Sequence, residues 1–292
     1  MGKKGKRAQA GRGKKVTFKD VGKKLDTLVK KLEEELEGAD LFQPIPPTED
    51  CPICCIPLSR ITTNCQYHTC CGKRICLGCV GENDEHIKAQ NEKKAAKNKP
   101  LLPDSCPFCR SIPNSYEQVK RQLEIRAQKN DAFACFELGR RYLHGSADGY
   151  PVNEAKGLDC LIRAVDLGSA EACFEIAECY GEELSVDGTR MKLFLKIGAL
   201  RGCIESRNEI GKREYIAGNF KLSMHHWRLS AEGGNQSSLN MLKGIYNGNK
   251  PGKEFITKDD LDWAYRVCHE AQMEFKSESR EKYTNDPNDM RC

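Results

Sequence analysis

Phe136-Glu-Leu-Gly-Arg-Arg-Tyr142 returns downstream as Phe174-Glu-Ile-Ala-Glu-Cys-Tyr180. The same register continues in Asn208-Glu-Ile-Gly-Lys-Arg-Glu214 and Asn240-Met-Leu-Lys-Gly-Ile-Tyr246. The apolar anchors Leu138, Ile176, Ile210 and Leu242 stand 38, 34 and 32 residues apart. Self-similarity at such a period predicts stacked supersecondary units. Each unit's second helix is expected to stop at a glycine, Gly168, Gly202 or Gly234, a residue that tolerates the left-handed cap. The small pairs Ala164-Val165, Gly198-Ala199 and Ser230-Ala231 precede those glycines and let neighbouring helices approach closely.

One helical pair cannot bury its own apolar face, whereas four stacked pairs can. Residues 113–275 are therefore expected to form an all-α solenoid, with residues 113–130 as a joining helix. Trp227 and Trp263 are read as core residues, and the His225-His226 doublet as packing or surface histidines rather than metal ligands. Residues 276–292 are polar and are expected to be a tail that ends the fold. Residues 142–156 follow the inter-helix pattern Tyr-Leu-His-Gly … Gly-Tyr-Pro-Val-Asn-Glu-Ala-Lys. On these residues the region resembles the Sel-one-like subclass of tetratricopeptide repeats. The resemblance implies an adaptor whose concave face binds a substrate or partner protein, and it supplies no catalytic residue.

Upstream of the repeats lies a different signal. Ten of the 17 cysteines fall between Cys51 and Cys109. They read Cys51-Pro-Ile-Cys54, then Cys70-Cys71-Gly-Lys-Arg-Ile-Cys76-Leu-Gly-Cys79, then Cys106-Pro-Phe-Cys109-Arg110. The two-residue gap at 51/54, 76/79 and 106/109 lets two thiolates from one tight turn reach a single ion at about 2.3 Å. With the Cys70-Cys71 doublet, eight ligands make two tetrahedral zinc sites. In a reducing compartment clustered cysteines point to metal rather than to disulfides. The pairs can bind serially or interleaved, and spacing alone leaves both open.

The segment 48–112 resembles a RING-type zinc finger of the all-cysteine kind. The resemblance implies interleaving: Cys51, Cys54, Cys76 and Cys79 hold one Zn2+, while Cys70, Cys71, Cys106 and Cys109 hold the second. Lys73 stands where the common RING places a histidine, and lysine is no zinc ligand. Cys71 therefore moves the ligand earlier, partnered by Cys70 because thiolates are the softer donors; His68 and Cys65 remain as alternatives. The insert from Val80 to Ser105 is expected to begin as a helix over 82–97. The resemblance also implies that a ubiquitin-charged conjugating enzyme docks on Ile53 and Pro107. Arg110 would bond both ubiquitin and that enzyme, with no covalent intermediate on the finger and no catalytic residue of its own. Arginine suits such a role because its fork of donors can grip two carbonyls.

Residues 1–24 carry ten Lys and Arg against Asp20, a formal charge of +9 that leaves −4 for the rest of a chain whose net charge is +5. So basic and apolar-poor a stretch is expected to be disordered, and to be a solubilising tail, a localisation signal or a nucleic-acid-attracting arm. Residues 25–37 predict a short helix on the apolar spacing of Leu25, Leu28, Val29, Leu32 and Leu36, followed by a Pro-rich linker to 47. No stretch approaches 18 uninterrupted apolar residues, so no membrane span is expected. With 30% charged and 7% aromatic residues, the composition suits a helical protein with wide solvated faces. No phosphate loop, His-Glu-x-x-His run or nucleophile elbow competes with the cysteines.

The expected protein is thus multi-domain: a small zinc-stabilised finger, an all-α helical-repeat solenoid and a basic N-terminal tail. It is expected to be intracellular, in cytoplasm or nucleus. The leading expectation is a ubiquitin ligase with conjugating enzyme and ubiquitin on the finger and substrate on the solenoid. The alternatives are a non-catalytic scaffold with a structural finger, and a nucleic-acid-associated zinc protein using its basic tail.

Overall fold

The computed structural model describes residues 17–112, 115–146, 149–182, 188–248, 250–274 and 278–284. Helix α1 spans Phe18–Leu36. The hairpin β1 (Cys65–His68) and β2 (Lys73–Cys76) follows, paired antiparallel with Cys65 opposite Cys76. Then come α2 (Leu77–Ala95), α3 (Tyr116–Gln128), α4 (Ala132–His144), α5 (Glu154–Asp166), α6 (Ala170–Glu182) and α7 (Gly188–Leu200). Helices α8 (Ile204–Ile216), α9 (Phe220–Glu232), α10 (Gln236–Asn247), α11 (Lys258–Glu274) and α12 (Glu278–Thr284) complete the order.

The repeats are helical hairpins, α4 with α5, α6 with α7, α8 with α9 and α10 with α11, each stacked on the next. Gly168, Gly202 and Gly234 have φ of +98°, +96° and +92°, the left-handed backbone that ends each second helix. The small pairs ahead of them are buried, and Ser230 Oγ donates to the Ile204 carbonyl at 2.8 Å, turning a would-be unpaired hydroxyl into a helix–helix tie. Trp227 is fully buried in the core of the last two hairpins, while Trp263 is half-buried beneath the Arg228 guanidinium. His226 is buried and packs its ring on Phe42 of the linker.

The amino-terminal helix starts seven residues before the expected position. Thr17 caps it, accepting from the Asp20 amide and donating its hydroxyl to the Asp20 carboxylate at 2.6 Å. Val21 then adds a first apolar turn to the Leu25–Leu36 stripe and is buried with Leu28, Val29 and Leu32. Residues 18–24 are therefore helical rather than disordered; residues 1–16 lie outside the described part. Helix α1 lies across α5 and α7 and shares their core. Lys31–Asp166, Arg190–Asp26 and Arg201–Glu35 pairs line its edges at 2.5, 2.9 and 2.7 Å, and Lys24 pairs with Asp159. Exposed pairs of this kind add little stability and chiefly set the register of the helix.

The carboxy-terminal expectation also needs correcting. Residues 278–284 do not trail away; α12 folds back onto α2, next to the cysteines. Among the described residues no helix is long and apolar enough to cross a membrane.

Candidate metal centre

The finger has almost no ordinary core. Its buried cluster is Leu58 and Ile75 together with Cys51, Cys76, Cys79 and Cys106. Two loops present cysteines in the same way. In the first, Cys51 N donates to Ile56 O and Cys55 N to Cys51 O; in the second, Cys106 N donates to Ser111 O and Arg110 N to Cys106 O. The residue after the second cysteine of each loop is left-handed, Cys55 at φ +55° and Arg110 at φ +59°. Such a turn aims backbone amides at the sulfurs. The β1–β2 turn presents Cys70 and Cys71, with Gly72 at φ +70° completing the reversal. The start of α2 presents Cys76 and Cys79, the Cys76 sulfur accepting from the Cys79 amide as the helix cap. Helix α2 accordingly begins at Leu77, ahead of the expected residue 82.

These supports bring the eight thiols into two groups: Cys51, Cys54, Cys76 and Cys79, and Cys70, Cys71, Cys106 and Cys109. Within each group all sulfurs lie within 4.8 Å of one another. The pairing is interleaved, first with third and second with fourth. Sulfur separations are 4.0 Å for Cys51–Cys79, 3.8 Å for Cys54–Cys76, 3.8 Å for Cys71–Cys106 and 3.4 Å for Cys70–Cys109. A tetrahedron of sulfurs at about 2.3 Å from a zinc ion has edges of about 3.8 Å, whereas a disulfide needs about 2.05 Å. The donor set and its spacing therefore fit zinc, and the cysteines of the described residues are unbridged. His68 and Cys65 stand outside both groups. Cys65 instead accepts from Arg74 Nη2 at 3.3 Å.

The thiols do not share one environment. Burial pushes Cys51 up, but backbone amides of Cys54, Cys76 and Ile53 outweigh it and bring that thiol down to about 7. Burial dominates at Cys70, Cys71 and Cys79, whose thiols are raised, with neighbouring sulfurs adding to the effect; at Cys76 burial also raises the thiol, against the Cys79 amide and the Arg280 charge. Each group thus sets two thiols that resist ionising beside one that ionises more readily, Cys51 in the first and Cys109 in the second, a donor set that a cation would complete.

Three arginines that no spacing rule singles out fix this assembly. Arg126 of α3 donates to the Thr69 carbonyl and, at 2.8 Å, to the Cys70 carbonyl, gripping the turn that carries the second group. Arg74 of β2 stacks on Phe133 and reaches Glu49 and Glu171 at 3.4 and 3.8 Å, tying the hairpin to the first two repeats. Arg280 of α12 donates to Cys54 Sγ at 3.2 Å and to the Ile56 and Pro57 carbonyls at 3.1 and 2.8 Å.

The residues expected to meet a conjugating enzyme part company. Ile53 is 41% exposed and Arg110 is exposed, with Nη1 donating to Asn83 Oδ1 at 2.7 Å. Pro107 is buried and offers little contact surface; its neighbour Phe108 is 43% exposed. The difference arises because the second loop turns its proline inward and its phenylalanine outward.

No family model matches this chain, and no curated protein does. Among solved structures it is similar to a Sel1 repeat protein from Oxalobacter formigenes, at 15% identity over 65% of this chain and 84% of that one, with a TM-score of 0.45. An immunity protein from Pseudomonas aeruginosa follows at 16% identity, 69% and 89% coverage and a TM-score of 0.32. Helix pairing and the glycine stops within this chain define it as a helical-repeat protein bearing a cross-braced finger of eight cysteines.

Proposed function

We propose that this chain is a zinc-braced protein-binding scaffold whose RING-type finger receives a ubiquitin-charged conjugating enzyme and whose repeats hold the substrate or another partner protein. The observation that carries this reading is the interleaving of the thiol pairs. Two zinc ions, one per group of four cysteines, supply folding energy of about 10–16 kcal/mol each rather than chemistry. The finger then acts by holding the thioester in an attack-ready pose, which is catalysis by orientation. Ile53 and Phe108 provide the apolar footing on the two loops, and Arg110 provides the fork of donors.

The test is discharge of ubiquitin from a panel of charged conjugating enzymes onto free lysine, with metal content measured on the same protein. Discharge stimulated by the wild-type chain and lost in Arg110→Ala is the expected result. Two bound zinc ions with no discharge from any enzyme would instead establish the non-catalytic scaffold. The burial of Pro107 and the Arg110–Asn83 bond are the observations that favour that second reading. A third partner class, nucleic acid, would use the basic residues 1–24, of which Lys19 and Lys23 are exposed on α1 and Lys24 pairs with Asp159. Binding to RNA or DNA that disappears at low salt when residues 1–16 are removed would be required to support it.

A further inference from the structure

Helix α12 carries the far end of the described chain back to the first cysteine loop, and its third residue is a buried cation. Arg280 is 3% exposed. Its guanidinium is spread over one sulfur and two carbonyls of the segment 54–57. The face of α2 beneath it is cut to receive the helix. A Cβ on Gly78 would stand 2.8 Å from the Arg280 backbone nitrogen, and one on Gly81 would run into the Tyr283 ring. One turn further, Glu85 pairs with Lys282 at 2.6 Å. Gly78, Gly81 and Glu85 share one side of α2, so the seat is continuous.

Four thiolates around a divalent cation leave a net charge of −2 in the group Cys51, Cys54, Cys76 and Cys79. A buried guanidinium is tolerated when an anion faces it and is costly when none does. With the ion bound, Cys54 is a thiolate and the Arg280 bond to it is charge-assisted. With the ion gone nothing braces Cys54 and the carbonyls of residues 56 and 57 in the positions that Arg280 grips, and the seat of α12 loosens with the loop. We propose that Arg280 makes α12 a metal-coupled latch: the loaded first site holds the carboxy-terminal helix on α2, and the seated helix in turn retards loss of that ion. The coupling is reciprocal by linkage. It rests on the zinc reading of the preceding section and extends it to a residue more than two hundred positions away from Cys54. Arg280 is a positioning residue here, acting on the metal through a sulfur and through the loop that carries it.

Zinc release from the full chain to a chromophoric chelator tests the latch. The wild type is expected to give up two ions, one per group. In Arg280→Ala one of the two should leave about 10–100-fold faster and the other at its original rate, the usual cost of losing an outer hydrogen-bond partner of a metal ligand. Arg280→Lys should fall between them, keeping the charge and losing the fork. With cobalt(II) in place of zinc, the sulfur-to-metal charge-transfer absorption of one site should move to longer wavelength in Arg280→Ala, because a thiolate without its donor releases an electron more readily. A helix that merely packs would not move that band. Should Arg280→Ala fail to fold, a chain ended at residue 277 removes α12 whole and must show the same selective release. Equal release of both ions and an unchanged cobalt spectrum in the variants would overturn the latch while leaving two zinc ions in place. A wild type that binds fewer than two ions would overturn the zinc reading, and the latch with it.

Discussion

The Tyr67 hydroxyl donates to the Asp131 carboxylate at 2.6 Å, joining the β1 strand of the finger to the first residue before α4. Asp131 is already committed locally, its other oxygen accepting from the Ala134 amide at 3.0 Å as the cap of α4. One carboxylate thus ends a loop, starts a repeat and anchors the finger. Tyr67→Phe is expected to cost about 1.5–3 kcal/mol, the range for a hydrogen bond to a charged acceptor. Asp131→Ala should cost more, since the cap adds about 1 kcal/mol. In a double-mutant cycle followed by urea unfolding, the two losses should fall short of adding. Strict additivity would mean that the two residues do not act together.

Chelation of zinc divides the molecule along its cores. The finger's buried cluster is built from four of the eight proposed ligands with Leu58 and Ile75, whereas the two repeat clusters contain none of the eight. Strong chelator is expected to collapse residues 51–110 and leave most of the helical circular dichroism in place. Loss of the Arg126 and Arg74 anchors should lower the melting temperature of what remains. A chelator that erased the entire helical signal would show that the repeats cannot stand without the finger.

The cysteine groups and the repeat hairpins were legible because both are written as local spacing: two residues between thiols, and roughly a third of a hundred residues between Leu138, Ile176, Ile210 and Leu242. The choice of Cys70 beside Cys71 came from donor chemistry, and the two sulfurs do converge with Cys106 and Cys109. Arg126, Arg74 and Arg280 were missed for a physical reason. An arginine that grips carbonyls or a sulfur has no fixed sequence distance to its partner, so it leaves no pattern. The start of α1 was missed because a dense run of lysines masked the Thr17 cap and Val21. For α12 the signal was a single arginine and a tyrosine among charges, and what seats them is a pair of glycines on α2. The inward turn of Pro107 depends on which way a loop faces, and Pro107 and Phe108 offer no cue to that.

Two glycines at similar helical positions should respond oppositely to the same substitution. Replacing Gly by Ala in a helix favours the helix by about 1 kcal/mol. At Gly244, in the last turn of α10, a Cβ meets nothing within 4 Å, so Gly244→Ala should stabilise by up to that amount. At Gly211 on α8 the Cβ would stand 2.6 Å from the indole nitrogen of Trp227. Trp227 cannot yield easily: it is fully buried and its Nε1 donates to the Asn208 carbonyl at 3.2 Å. Overpacking of about 1–3 kcal/mol then exceeds the propensity gain, and Gly211→Ala should destabilise with a shift in tryptophan emission. Thermal melting of the pair reads both signs; a Gly211→Ala chain as stable as the wild type would mean that α8 and α9 are not in such close contact.

The buried histidine of α9 sets an acid limit on the last repeats. Burial first, then the positive charges of Arg207, His225 and Lys196, bring His226 from 6.5 down to about 4. Its ring lies against Phe42 of the linker, and the side chain is 2% exposed. Between pH 6.5 and 4 the unfolded chain holds a proton on this residue that the folded one refuses, so unfolding takes up protons and stability falls with falling pH. The contribution is fully present above pH 6.5, declines through that window and is gone below about 4. Its full size is on the order of 3 kcal/mol, from the two values at about 1.4 kcal/mol per unit. His226→Gln keeps a polar side chain of similar reach and does not titrate, so its stability should be flatter between pH 7 and 5 than that of the wild type. Urea midpoints measured across that range decide the matter: parallel pH profiles for the two proteins would mean that His226 takes up its proton in the folded state as readily as in the unfolded one.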